Sequence, residues 1–245
     1  MEDRLGEQGV MVRAGLCGDT GVCLRVRRSG NGGNVECLTL GAETPDGVPL
    51  RYPPGLAQAR HGLALAAALA ACRPGPWPCS WTLRTPDGPR QVRRSWGRIL
   101  VEYPAPLLRD LDPAEARALG LGRGQTACRV TLDGAALVLS CADQAALLAW
   151  RPPDDLGERL QGQGLACLVL CVPDAQDVLA RSWLDSGQEL PSPLAAGAAA
   201  CLWQRSHAGT RVAVRWPGGG STQVRLRVGP REIERLHLSL WAKPA

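Results

Sequence analysis

A duplicated α/β domain is the fold that the sequence predicts, and three observations predict it. Residues 53–94 run Pro-Pro-Gly-Leu-Ala-Gln-Ala, an Ala/Leu helix, a Pro/Gly break, Trp81-Thr-Leu-Arg, the turn Pro86-Asp87-Gly88 and Gln91-Val-Arg-Arg. Residues 191–227 run Pro-Ser-Pro-Leu-Ala-Ala-Gly, a second Ala-rich helix, Val212-Ala-Val-Arg-Trp, the turn Pro217-Gly218-Gly219 and Gln223-Val-Arg-Leu-Arg. Element order, turn chemistry and the proline at each helix mouth agree over about forty residues. At 245 residues the chain suits two domains of roughly 100–120 residues, each with its own core. A site is then expected where the halves meet.

The elements follow in order. Val22-Cys-Leu-Arg-Val-Arg reads as a strand, Ser29 to Asn34 as a Gly/Asn turn, and Val35 to Leu40 as the returning strand, stopped by Pro45-Asp46-Gly47. Leu56 to Cys72 reads as a buried helix, apolar nearly all round except for Gln58, Arg60 and His61. Trp81–Arg84, Gln91–Arg94 and Ile99–Tyr103 form a short meander. Asp112 caps a helix with Pro113 in its first turn and Gly120 past its end, which marks the border between the halves. Thr126–Leu132 and Ala136–Ser140 are strands around Asp133-Gly134, followed by helices near Asp143–Trp150 and Asp154–Gln161. Leu165–Val172 is a fully buried strand, and Arg181–Leu184 a short one. Pro193–Ser206 is the second central helix with Ser192 as N-cap; the hairpin Val212–Trp216 and Gln223–Val228 and a closing strand Leu236–Leu240 complete the chain. The expected domains are 1–111, 112–230, and a tail 231–245 that returns to the first.

Composition narrows the function classes. Hydrophobic residues make up 45% and charged ones 21%, which is ordinary for a globular protein. The net charge is +5, and all but one of the 28 basic residues are Arg. Arg225 and Arg227 alternate with Val224, Leu226 and Val228, the pattern of a half-buried strand showing Arg to water, so nucleic acid is not an expected partner. Ten Cys are spread through apolar segments with no Cys-x-x-Cys pair, and His61, His207 and His237 lie in three separate elements; buried, reduced thiols are expected, and no metal. There is no Gly-x-Gly-x-x-Gly after a strand and no Walker lysine, so no cofactor is expected. No signal-peptide pattern is read at the start, and the longest apolar run, Gly62 to Cys72, is about half a membrane span; the expected location is the cytoplasm, with no membrane.

Several motifs resemble the diaminopimelate epimerase family of cofactor-independent racemases and isomerases. Val212-Ala-Val-Arg-Trp-Pro-Gly-Gly-Gly-Ser resembles that family's strand–Pro-Gly-Gly–strand segment. Leu16-Cys-Gly-Asp-Thr-Gly-Val22 is similar to its Gly-Ala-Asp-Gly-Val turn, and Ala42 to Gly47 to its Asn-Ala-Asp-Gly turn. The resemblance implies an α+β fold of two pseudo-symmetric domains, each a central helix wrapped by a curved, mostly antiparallel sheet. It also implies a Cys at each helix N-terminus, one thiolate as base and the opposite thiol as acid, because removal of an unactivated α-proton needs both. A helix N-terminus lowers a thiol pKa and offers N–H groups to a carboxylate.

This chain departs from that pattern at the site. Counting from Gly47 and from Glu189, the two Cys positions hold Pro54 (Pro53 in the other register) and Pro193. Proline suits a first helical turn but brings no thiol and removes one N–H. The family's Gly-Asn-Pro-His segment aligns with Asp133-Gly134-Ala135-Ala136, its next-strand Asn with Ala166, and its Glu-Arg pair lies near Leu184-Asp185; its Gly-Asn-Asp-Phe motif has no equivalent. The resemblance therefore implies a catalytically silent protein that acts by binding a protein partner or itself. A small carboxylate could still meet the helix mouths at Gly55, Leu56, Leu194 and Ala195; Trp203, Trp216 and Trp241 read first as ordinary core rings and second as candidate interface rings. The alternative is an active amino-acid epimerase of lysine biosynthesis with relocated groups: Cys72 or Cys201 as thiols, Cys79 beside them, or an acid–base set from Asp185, Glu189 and His207.

Overall fold

The computed structural model describes residues 9–16, 22–28, 38–53, 56–72, 78–95, 97–112, 127–230 and 232–244. The expected turn at 29–34, the first half of the strand expected at 35–40, the helix at 113–120, the turn residues 17–21, and Pro54 and Gly55 lie outside the described residues. The chain divides into two compact units. One comprises Met1–Leu56, Arg60–Tyr103 and Ser239–Ala245; the other comprises Ala57–Ala59 and Pro104–Leu238.

In the first unit, strands β1 (Val10–Gly15), β2 (Val22–Arg28), β3 (Leu38–Leu40), β4 (Val48–Arg51), β5 (Cys79–Thr85), β6 (Gly88–Ser95) and β7 (Arg98–Tyr103) follow one another side by side. The end of β15 (Ile233–Pro244) lies beside β7 and pairs with β1, Gly15 opposite Trp241, so eight strands close into a barrel. Closure removes the free edges that invite aggregation. Helix α1 (His61–Cys72) packs against β1, β2, β3, β6 and β7. Its sequence explains this: Leu63, Leu65 and Leu69 alternate with Ala, no face is polar, and every residue from His61 to Ala71 is buried. The expected start at Leu56 is corrected. The α-helix begins at His61, because the Leu56 N–H closes a turn onto the Pro53 carbonyl at 3.2 Å and Gln58–Arg60 wind as a 3-10 turn.

In the second unit the sheet runs β8 (Leu107–Asp110), β9 (Ala127–Thr131), β10 (Ala135–Ser140), β11 (Cys167–Pro173), β12 (Asp177–Leu184), β13 (Arg211–Arg215), β14 (Ser221–Val228) and the start of β15. Leu137, Leu139, Leu168, Leu170 and Trp183 form one core with Leu147 of α2 (Gln144–Ala149) and Leu156 and Leu160 of α3 (Leu156–Gly162). The alternate residues Val138, Val169 and Cys171 are equally buried, and α4 (Pro193–Gln204) packs against β9 to β14. Helices on both faces account for the unbroken apolar run from Leu165 to Val172. The Asp143 carboxylate accepts the Ala146 N–H at 2.7 Å and starts α2. Ser192 caps α4, accepting the Ala195 N–H at 3.1 Å, with Pro193 at the first position. Ser192→Ala is therefore expected to lower stability by about 1 kcal/mol, read as a shift in the urea midpoint at unchanged slope.

The protein is thus a mixed α+β structure dominated by sheet. From β1 to β7 the successive pairings are antiparallel, parallel, antiparallel, parallel, antiparallel, antiparallel, and from β9 to β15 they are the same, with α1 and α4 each preceding the fifth strand. β1, β4, β8 and the first half of β12 were not read from the sequence. β8 is an edge strand exposed at all four residues, so it carries no alternation. Its pairing with β9 places Pro104 to Leu111 in the second unit, ahead of the border expected at 112.

Candidate functional site

The mouth of α4 is closed by its own cap. Ser192 and Ala195 are fully buried and Leu194 nearly so. The Ser192 hydroxyl takes the Ala195 N–H, and Pro193 has none to give. Of the N–H groups that a carboxylate would use there, two of the first three are thereby removed. At α1, Leu56 stands before the 3-10 turn rather than in the first helical turn. The first helical residue is His61, which is buried. Its ring stacks on Tyr52 at 4.1 Å between centroids, and its Nδ1 lies 3.3 Å from Asp87 Oδ2.

The positions aligned with substrate-gripping residues do come together. Parallel β10 and β11 run in register, Ala136 opposite Cys167, and the Ala166 N–H donates to the Ala135 carbonyl at 2.7 Å. Asp185 joins them, its N–H donating to the Ala166 carbonyl at 3.1 Å. A Cβ placed on Gly134 would meet Gln58 Oε1 at 3.0 Å, Gln58 Cβ at 3.2 Å and Ala166 Cβ at 3.3 Å. Gln58 thus lies in the space that an asparagine at 134 would enter. Its role was not seen in the sequence; the only signal was a lone amide in an apolar stretch.

The candidate thiols are poorly placed for proton transfer. Cys201 is fully buried, and burial pushes its pKa far above the usual thiol value; the same holds for Cys167 and Cys171. Burial also raises Cys128 and Cys141. A thiol kept protonated is neither a base nor a nucleophile. Cys72 is the last residue of α1 and half-buried, at the end where the helix dipole disfavours a thiolate, and Cys79 opens β5.

The acid–base set from Asp185, Glu189 and His207 is not assembled either. Arg181 grips Glu189 with two bonds of 2.7 and 2.8 Å, and these hold its carboxyl below the usual range. His207 stacks on Trp203 with planes 3° apart and has Nδ1 at 2.9 Å from the Trp203 carbonyl oxygen. Among the described residues no hydrogen bond joins the three. Nor is there, among those residues, a group of three His, Cys, Asp or Glu able to hold a metal ion, or a helix long and apolar enough to cross a membrane. Of the three Trp rings, Trp203 and Trp216 fit the core reading: they are 1% and 5% exposed, with indole N–H groups donating to the Asp174 carbonyl and the Thr222 hydroxyl. Trp241 is half-buried.

No protein-family model matches the chain, and no curated protein does. Solved structures do. A "predicted epimerase" from Pseudomonas aeruginosa superposes with a TM-score of 0.71 at 17% identity, covering 96% of this chain and 97% of that one. A phenazine biosynthesis PhzC/PhzF protein from Clostridium difficile gives 0.64 at 15%, with 96% of each chain covered. A hydroxyproline epimerase from Agrobacterium vitis, with bound trans-4-hydroxy-L-proline, gives 0.57 at 13%, covering 84% and 73%. These likenesses show the fold that the chain shares with the epimerase and PhzF structures.

Proposed function

We propose that this protein is a degenerate relative of diaminopimelate epimerase, two pseudo-symmetric halves around α1 and α4, whose chemistry is lost and which acts by binding in the cytoplasm. The observation that carries the reading is Gln58 against Gly134: a Cβ there would meet Gln58 Oε1 at 3.0 Å, in the space that the resemblance assigns to a gripping asparagine. Pro193 under the Ser192 cap, and thiols raised by burial, support it. A protein partner or a second copy of the chain is the expected binding target, with a small carboxylate as a lesser ligand.

The test is repair. Pro54→Cys with Pro193→Cys supplies both thiols, yet is expected to produce less than about a hundredth of an ordinary enzymatic rate on diaminopimelate, followed by the change in stereoisomer ratio. Adding Gln58→Ala, Gly134→Asn and Ala166→Asn should raise that rate. Full activity of the two-thiol variant alone would contradict the reading.

One observation favours a working site. His61 is a buried imidazole stacked on Tyr52 with the Asp87 carboxylate 3.3 Å from its Nδ1, a pairing of groups that suits a general base. In that case wild-type protein would be active and His61→Ala would not.

A further inference from the structure

The outward face of β13 and β14 brings two guanidinium groups together. Arg211 stands directly opposite Arg225, so two cationic side chains face each other across neighbouring strands. Directly opposed residues in antiparallel strands have Cα atoms about 4.5–5.5 Å apart, and like charges there repel. Elsewhere on this face the sequence provides acids. Arg215 is held by Asp177 through bonds of 2.9 and 3.0 Å, and Arg227 by Glu234 at 3.0 Å. Among the described residues, Arg211 and Arg225 pair with no carboxylate.

A groove opens beside the same pair. β12 and β13 pair only over Asp177–Leu179 and Ala213–Arg215. Where they part, a groove of about 610 Å³ is lined by Gln176, Trp203, Gly209, Thr210, Arg211 and Gln223, with no acid among its lining residues. The volume falls within the range of small-molecule sites. Asp174 lies nearby, but its carboxylate is turned onto the Ala175 N–H at 2.7 Å. Gln223 is two residues from Arg225 on the same strand face, so the groove leads to the arginine pair.

We infer that this groove and the Arg211–Arg225 pair form a binding site for an organic phosphate. A phosphate monoester carries roughly −1.5 to −2 charge at neutral pH, enough to offset two guanidinium groups that can each donate bidentately. The carboxamides of Gln176 and Gln223 and the Thr210 hydroxyl hydrogen-bond a polar body in the groove. The site lies away from the mouth of α4 and does not depend on whether catalysis survives.

The experiment is calorimetric titration of the full chain with glucose 6-phosphate, with inorganic phosphate, and with a short DNA duplex, at fixed salt. Glucose 6-phosphate is expected to bind at least about tenfold tighter than inorganic phosphate. Arg211→Gln and Arg225→Gln should each weaken it about tenfold, while Gln223→Ala should weaken only glucose 6-phosphate. Arg215→Gln, on the same face but matched by Asp177, should change neither affinity, and Arg211→Gln and Arg225→Gln should not lower the thermal midpoint without ligand, since each relieves the repulsion between the two. Absence of glucose 6-phosphate binding at millimolar concentration, equal affinity for the two phosphates, affinity untouched by the Arg211 and Arg225 variants, or preference for the duplex would each overturn the assignment.

Discussion

Replacing Trp203 with alanine is expected to cost about 4 kcal/mol and to lower the thermal midpoint by roughly 8–16 °C. The ring is 1% exposed, stacks with His207 at 4.8 Å, and donates its N–H to the Asp174 carbonyl at 2.6 Å. It lies so close to Gly209 that a Cβ there would collide with it. Truncation leaves a cavity at the end of α4 and an unpaired carbonyl. Calorimetry with sedimentation on the same samples checks this: the midpoint should fall while the association state stays that of the wild type. A variant with an unchanged midpoint and altered association would restore Trp203 as an interface ring.

Arg181→Ala is expected to cost about 2–4 kcal/mol. Arg181 sits over the Trp183 ring at 4.6 Å, and its Nη1 donates to the carbonyls of Leu147 and Trp150 at 3.0 and 2.9 Å, closing the end of α2. It also carries the two bonds to Glu189. Its side chain is 10% exposed but that of Glu189 is 46% exposed, which keeps the estimate below that for a fully buried pair. The pH dependence has a definite sign. Hydrogen bonds from Arg181 hold the Glu189 carboxyl below its usual value of 4.5, against the upward pull of burial. The pair therefore contributes fully above that value and is lost as pH falls through the lowered one. The stability difference between wild type and Glu189→Gln, from denaturant midpoints, should be largest near neutrality and shrink as the pH drops below about 4.5. A difference constant down to pH 2 would contradict the assignment.

How far the sequence was legible depended on how local the signal was. The Ser192 cap with Pro193, the turn Asp133-Gly134 between β9 and β10, and the doubly buried β11 are set by neighbouring residues, so their chemistry is visible in a short stretch. β8 is exposed throughout and β4 holds Pro49 in four residues, so neither shows a period. The start of α1 was displaced because a run apolar on every face does not mark its own first turn. At the site, the positions of Gly134 and Ala166 came from resemblance, and the register of β10 and β11 brings them together. Gln58 and the His61–Asp87 contact join residues far apart in the chain, which no local pattern reveals. Trp203 and Trp216 stood open to a core or an interface reading, because residue type alone does not tell a core ring from an exposed one.

The most direct measurement of the central claim is incorporation of solvent deuterium at the α-carbon of diaminopimelate, and of proline and hydroxyproline, by purified wild-type protein in D2O, followed by NMR. A silent site predicts no exchange above the protein-free rate for any of the three. Exchange at an enzymatic rate that disappears in Cys72→Ala, Cys201→Ala or His61→Ala would contradict it.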